Sequence, residues 1–133
     1  MTQKTSEAEQ RLIDAAKKAR ENAHAPYSKF KVGAAILTGD GNIYASCNVE
    51  NASYGGSVCA ERNAVAQAVA AGEKTFTQLA IITQSDPPVA PCGLCRQVLI
   101  EFCDDLPILM CNLEGEVVRT TLRELQPLPF KKF

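Results

Sequence analysis

The chain has 133 residues, 46% of them hydrophobic and 22% charged, which suits one soluble globular domain over 1–133 and is too short for two ordinary ones. No stretch approaches the roughly 20 apolar residues that span a bilayer, and no apolar run follows Lys4, so neither a membrane span nor a signal peptide is read. A net charge of −1 gives no global pull toward a phosphate backbone, and six cysteines without an export signal point to a reducing cytoplasm rather than a disulfide framework.

Ser6-Glu7-Ala8-Glu9 has the form of a capping box, and Leu12, Ile13, Ala16, Ala19 and Ala23 recur at helical spacing. The first helix is therefore expected over 7–23, ended by Ala25-Pro26. Residues 31–38 read as a strand, Gly39-Asp40-Gly41-Asn42 as a hairpin turn, and 43–49 as the returning strand. Ser57 is placed to cap a second helix over 58–71, stopped at Gly72. Residues 79–83 form an apolar run expected to be a strand buried on both faces. A third helix over 92–103 is entered after Pro91. Strands at 107–113 and 116–119, joined by Glu114-Gly115, and a helical turn at 122–125 complete the order α-β-β-α-β-α-β-β. That order predicts an α/β fold, a three-layer α/β/α sandwich around a mixed sheet of about five strands.

Cys59-Ala60-Glu61 and Pro91-Cys92-Gly93-Leu94-Cys95 carry the chemistry. Cys92 and Cys95, three apart at a helix start, share one side, and Cys59 lies in the first turn of the second helix, where the positive helix end favours a thiolate. Three thiolates hold a zinc ion and keep its fourth position open, as catalytic rather than structural sites do. Glu61 is two residues from Cys59, badly placed as a fourth ligand but within reach of protons on the open side. Arg62 is placed to donate hydrogen bonds to the ligand sulfurs. Cys47, Cys103 and Cys111 lack ligand spacing and are read as core, and His24 as a helix C-terminal residue. The alternatives are a zinc module with a fourth ligand elsewhere, no metal at all, or a thioredoxin-like redox pair, which leaves Cys59 and Glu61 unexplained.

Four segments resemble the zinc-dependent cytidine deaminases of the small homotetrameric nucleoside type: Pro26-Tyr27-Ser28-Lys29-Phe30-Lys31-Val32-Gly33-Ala34-Ala35, Asn48-Val49-Glu50-Asn51-Ala52, Cys59-Ala60-Glu61-Arg62-Asn63-Ala64 and Pro91-Cys92-Gly93-Leu94-Cys95-Arg96-Gln97. The resemblance covers nearly the whole chain. It implies one Zn²⁺ per subunit on Cys59, Cys92 and Cys95, with Glu61 as proton shuttle and Arg62 as partner of the thiolates. It implies Asn48 and Glu50 on the ribose 3′-hydroxyl, Phe30 against the pyrimidine, and the Ala60 backbone on the base. Ala52 and Tyr54 resemble positions that reach a neighbouring subunit's site. Phe130 resembles the aromatic that closes a neighbour's pocket, with Phe133 a rival, so a tail over about 126–133 is expected at a subunit interface.

The implied activity is hydrolytic deamination of free cytidine and 2′-deoxycytidine in pyrimidine salvage, by a cytoplasmic homotetramer with shared sites and no nucleic-acid or membrane partner. A carboxylate in the sugar site disfavours a nearby phosphate. Deaminases of nucleoside-like antibiotics or of polynucleotide cytosine share the zinc chemistry, and a non-catalytic zinc-binding module is the alternative from another class.

Overall fold

Ser6 starts the first helix, α1 (Glu7–Arg20), by a reciprocal pair of bonds: its hydroxyl accepts from Glu9 N at 3.1 Å, and Glu9 Oε1 accepts from Ser6 N at 3.0 Å. In this computed structural model, which describes residues 4–131, α1 ends sooner than its periodicity predicts. Asn22 N donates to Ala19 O and Ala23 N to Arg20 O, tightening the chain into turns. His24 is then not a helix-end residue. It pairs as an isolated bridge with Val49, its N–H donating to Asn48 O and its carbonyl accepting from Glu50 N.

Five strands follow: β1 (Val32–Thr38), β2 (Ile43–Cys47), β3 (Phe76–Thr83), β4 (Pro107–Asn112) and β5 (Val117–Thr121). They lie in the order β2-β1-β3-β4-β5, with β3 and β4 parallel and the other pairs antiparallel, so the sheet is mixed as expected. Gly41, at φ +87, makes the β1–β2 turn, where Thr38 N donates to Asn42 O at 2.9 Å. The return strand stops at Cys47, short of the predicted Val49, because Val49 bridges to His24 and Val58 instead of to β1. β3 begins at Phe76, three residues before the apolar run, where Phe76 pairs with Thr38 across a bulge.

Both faces of the sheet are covered. On one face Ala34, Ile36, Leu79, Ile81, Ile108 and Met110 pack against the helices α2 (Ala60–Ala70) and α3 (Gly93–Phe102). On the other, Ala35, Ala80, Ile82 and Leu109 meet Leu12, Ile13 and Ala16 of α1. The alternation along β1 and β3 explains their nearly continuous apolar sequence. α1 lies hard against β1 at Gly33, where an added Cβ would stand 2.0 Å from the carbonyl oxygen of Ala16. Cys103 and Cys111 are buried, as their reading as core residues expects, whereas Cys47 is half-buried. A short helix, α4 (Leu122–Leu125), ends the described secondary structure.

Candidate active site

Two helix starts beside the end of β3 build the site. β3 runs into the loop before α3, and α2 starts beside it. Cys59 is the N-cap of α2 and Cys92 the N-cap of α3. Neither sulfur accepts a capping hydrogen bond from its own helix, so each helix starts on a sulfur rather than on the usual capping oxygen. Ser57, expected as the α2 cap, instead accepts from Asn51 N at 3.1 Å and pins the preceding loop. Both helices thus begin one residue later than predicted or more, and their positive ends converge on the thiols.

The sulfurs of Cys59, Cys92 and Cys95 all lie within 4.8 Å of one another, with Cys59 to Cys92 at 3.6 Å and Cys92 to Cys95 at 3.5 Å. His24 is not in this group, which has three members among the described residues. Hydrogen bonding from Cys95 and Arg62 pulls the Cys59 thiol down to about 5. The same contact with Cys59, together with burial, pushes Cys95 up. Three sulfurs this close cannot all ionise without a cation among them. Soft thiolate donors in this number fit zinc. Arg62 reinforces the fit: its Nη2 lies 3.9 Å from Cys59 Sγ and donates to Ser57 O at 3.3 Å, while its buried Nε has no partner among the described residues.

Glu61 is 5% exposed, on the first turn of α2. Burial pushes its carboxyl up to about 7, and the Cys59 thiolate adds to the rise. It opens with Cys59 and Cys92 onto a cavity of about 270 Å³ that Ser28, Phe30, Val32, Asn48, Glu50, Ile81, Val89 and Ala90 also line. The structure therefore brings Phe30, Asn48, Glu50 and Glu61 to one space beside the thiols. Asn48 is fixed by accepting from Val32 N at 2.8 Å and donating to Phe30 O at 2.9 Å. Glu50 accepts from Tyr27 N, Ser28 N and the Ser28 hydroxyl, which hold its carboxyl below the usual range.

Other predicted residues lie outside this cavity. Ala60 is fully buried in the core beneath α2. Ala52 is exposed, and Tyr54 is 78% exposed beside Tyr27, their rings 6.1 Å apart. Phe130 is 62% exposed and its carbonyl accepts from Gln97 Nε2 at 2.7 Å. Phe133 lies outside the described residues. Ser28, Val32, Ile81, Val89 and Ala90 had no role from sequence, although Ser28 and Val32 stand inside a segment that carried the resemblance. A hydroxyl two residues before an aromatic was the available signal for Ser28.

The family described as the cytidine and deoxycytidylate deaminase zinc-binding region matches residues 6–111. A cytidine deaminase of Sporosarcina psychrophila is 48% identical over 124 residues, covering 92% of this chain and 91% of the relative. One from Halalkalibacterium halodurans is 44% identical, covering 91% and 92%. Among solved structures, the cytidine deaminase from Burkholderia pseudomallei superposes with a TM-score of 0.88 at 47% identity, covering 95% of this chain and all of that one.

Proposed function

The chain belongs to the cytidine and deoxycytidylate deaminase family, and from that premise we propose that it hydrolyses free cytidine and 2′-deoxycytidine to uridine and 2′-deoxyuridine with release of ammonia. The observation that carries this reading is a trio of thiols, two of them, Cys59 and Cys92, on the wall of a nucleoside-sized cavity, with a buried carboxyl, Glu61, beside them. Zinc held by Cys59, Cys92 and Cys95 supplies, when bound, a Lewis acid that lowers the pKa of water toward neutrality.

Glu61 moves the protons. Its carboxylate takes one from the attacking water and gives it to ring N3, which makes C4 more electrophilic as oxygen adds there. It then carries the remaining hydroxyl proton to the amino nitrogen. The C4–N4 bond breaks, ammonia leaves, and the C4 carbonyl forms. Burial supports this role, because a carboxyl raised toward neutral pH both accepts and donates readily. Arg62 steadies the Cys59 thiolate, and Phe30 forms the wall against the pyrimidine. Asn48 and Glu50 hold the ribose 3′-hydroxyl, and the Glu50 carboxylate disfavours a phosphate nearby.

The functional unit is a cytoplasmic homotetramer in pyrimidine salvage, each subunit one domain over 1–133, with no nucleic-acid or membrane partner. No described helix is long and apolar enough to cross a membrane. Ala52, Tyr54 and Phe130 serve a neighbour's site, and the tail over about 126–133 packs between subunits. Their exposure outside their own chain's cavity supports this. So does an apolar groove of about 640 Å³ lined by Val58, Val65, Val69, Val98 and Phe102.

The test is the loss of cytidine absorbance on adding purified protein, run beside cytidine 5′-monophosphate and a short cytosine oligonucleotide. Turnover of cytidine that a chelator stops and zinc restores is expected. Preference for the oligonucleotide, or turnover indifferent to the chelator, overturns the reading.

A further inference from the structure

The turn before β1 is bonded more densely than the rest of the cavity wall, and one side chain is its hub. Glu50 Oε1 accepts from Tyr27 N at 3.0 Å and from Ser28 N at 3.1 Å, while Oε2 accepts from the Ser28 hydroxyl. That same hydroxyl oxygen accepts from Phe30 N at 3.0 Å. Ser28 thus links the Glu50 carboxylate to the backbone of Phe30, and all three line the cavity. Between the two, Lys29 sits at φ 61, a left-handed backbone that residues with a Cβ disfavour. The bonds to Glu50 hold the turn in that shape.

An ionised carboxylate offers about four acceptor positions. Among the described residues, three of these are filled on Glu50, two on Oε1 and one on Oε2. About one is left, on the oxygen that the Ser28 hydroxyl orients. We infer that Ser28 is the positioning residue that aims Glu50 at a single sugar hydroxyl and so sets the enzyme's demand for an intact 3′-hydroxyl. This rests on the reading of Glu50 as the sugar partner.

Removing the Ser28 hydroxyl leaves Phe30 less disturbed than Glu50. Phe30 keeps its carbonyl bond from Asn48 Nδ2 at 2.9 Å, and Asn48 is anchored in turn by Val32 N. Oε2 of Glu50 loses its partner in the chain. The loss therefore falls on sugar recognition more than on base stacking.

Cytidine and 3′-deoxycytidine, assayed against the wild type, Ser28→Ala, Ser28→Thr and Glu50→Gln, test this. Ser28→Ala is expected to raise KM for cytidine roughly tenfold, the effect of losing a hydrogen bond to a charged group, with a smaller change in kcat. It should change 3′-deoxycytidine about twofold at most, since the hydroxyl that Glu50 reads is already gone. Ser28→Thr, which keeps the hydroxyl, should restore cytidine KM. Equal losses on both substrates, or no loss on either while Glu50→Gln still loses far more on cytidine than on 3′-deoxycytidine, overturn the role of Ser28 and leave the sugar reading standing. A Glu50→Gln variant whose loss relative to wild type is the same on cytidine as on 3′-deoxycytidine removes the sugar reading itself, and this inference with it.

Discussion

Arg119 on β5 grips Glu9 in the first turn of α1 with both terminal nitrogens, Nη2 reaching Oε1 at 2.9 Å and Nη1 reaching Oε2. The pair ties the start of the chain to the last strand of the sheet. Gln78 Nε2 adds a bond to Oε2 at 3.2 Å, and Ser6 N adds the capping-box bond. Hydrogen bonding from Arg119 holds the Glu9 carboxyl down at about 2, below its ordinary value of 4.5. Between those two values the unfolded chain binds a proton that the folded chain does not. The stabilisation is therefore complete above the ordinary carboxyl range and fades as pH falls toward 2. Arg119 is partly exposed, so the cost of Arg119→Met is set at about 1 kcal/mol at pH 7. Thermal melts at fixed protein concentration should show wild type and variant separated at neutral pH and converging on acidification. A gap that stays constant down to pH 2 rules the pair out as its source.

Gly33 is needed for lack of space, since its φ is not in the left-handed region. An added Cβ meets the Ala16 carbonyl oxygen at 2.0 Å and Arg20 Cβ at 2.7 Å, and the first of these is backbone that cannot swing away. Gly33→Ala should force α1 off the sheet and cost about 3 kcal/mol. Gly55→Ala, where a Cβ meets nothing within 4 Å, is the control and should melt close to wild type. If both variants melt alike, α1 does not pack on β1 this closely.

Gly33 also illustrates what the sequence made legible. The apolar runs at Val32–Thr38 and Leu79–Thr83 announced strands, and the two cysteine motifs announced a metal. What stayed hidden was decided by tertiary contact. Asn22 and Ala23 have ordinary helical character, yet the chain leaves α1 at Arg20 so that His24 can reach Asn48 and Glu50. Ser57 has a capping side chain, yet the loop takes it and a cysteine caps α2. Ser28 carried only the signal of a hydroxyl two residues before an aromatic, because its role exists only once Glu50, 22 residues later, folds against it.

The C-terminal tail is fastened to the helix that carries Cys95. Gln97 Nε2 donates to Phe130 O at 2.7 Å, and Arg96 Nη1 donates to Leu125 O at 3.2 Å. The residues immediately after that cysteine thus fix where the tail runs, with Leu128 90% exposed along it. If Phe130 closes a neighbour's pocket as proposed, loosening its backbone should weaken substrate binding before it affects chemistry. Gln97→Ala is expected to raise KM for cytidine roughly fivefold, the effect of one neutral hydrogen bond, with kcat little changed. Deletion from residue 127 onward should raise it further and lower the mass of the assembly in solution. A tail deletion with unaltered KM and unaltered mass removes the tail from both roles.

Glu61 separates catalysis from metal binding most cleanly. It stands outside the group of sulfurs that come within 4.8 Å of one another, so its loss leaves the three donors intact. Gln fills nearly the same volume and keeps an acceptor oxygen, but it cannot take a proton from water and return it to the ring. Glu61→Gln should retain one zinc per subunit by elemental analysis while kcat falls roughly 10²–10⁴-fold, the usual share of a general acid–base group. Cys95→Ala should do the reverse in order of cause, losing the metal first and activity with it, since its sulfur is fully buried among the other two. Near-normal kcat in Glu61→Gln with zinc still bound assigns the proton transfer to some other group. Loss of zinc in that variant shows instead that the carboxylate is a ligand, which would make the site a closed four-donor one and remove the vacancy on which the proposed hydrolysis depends.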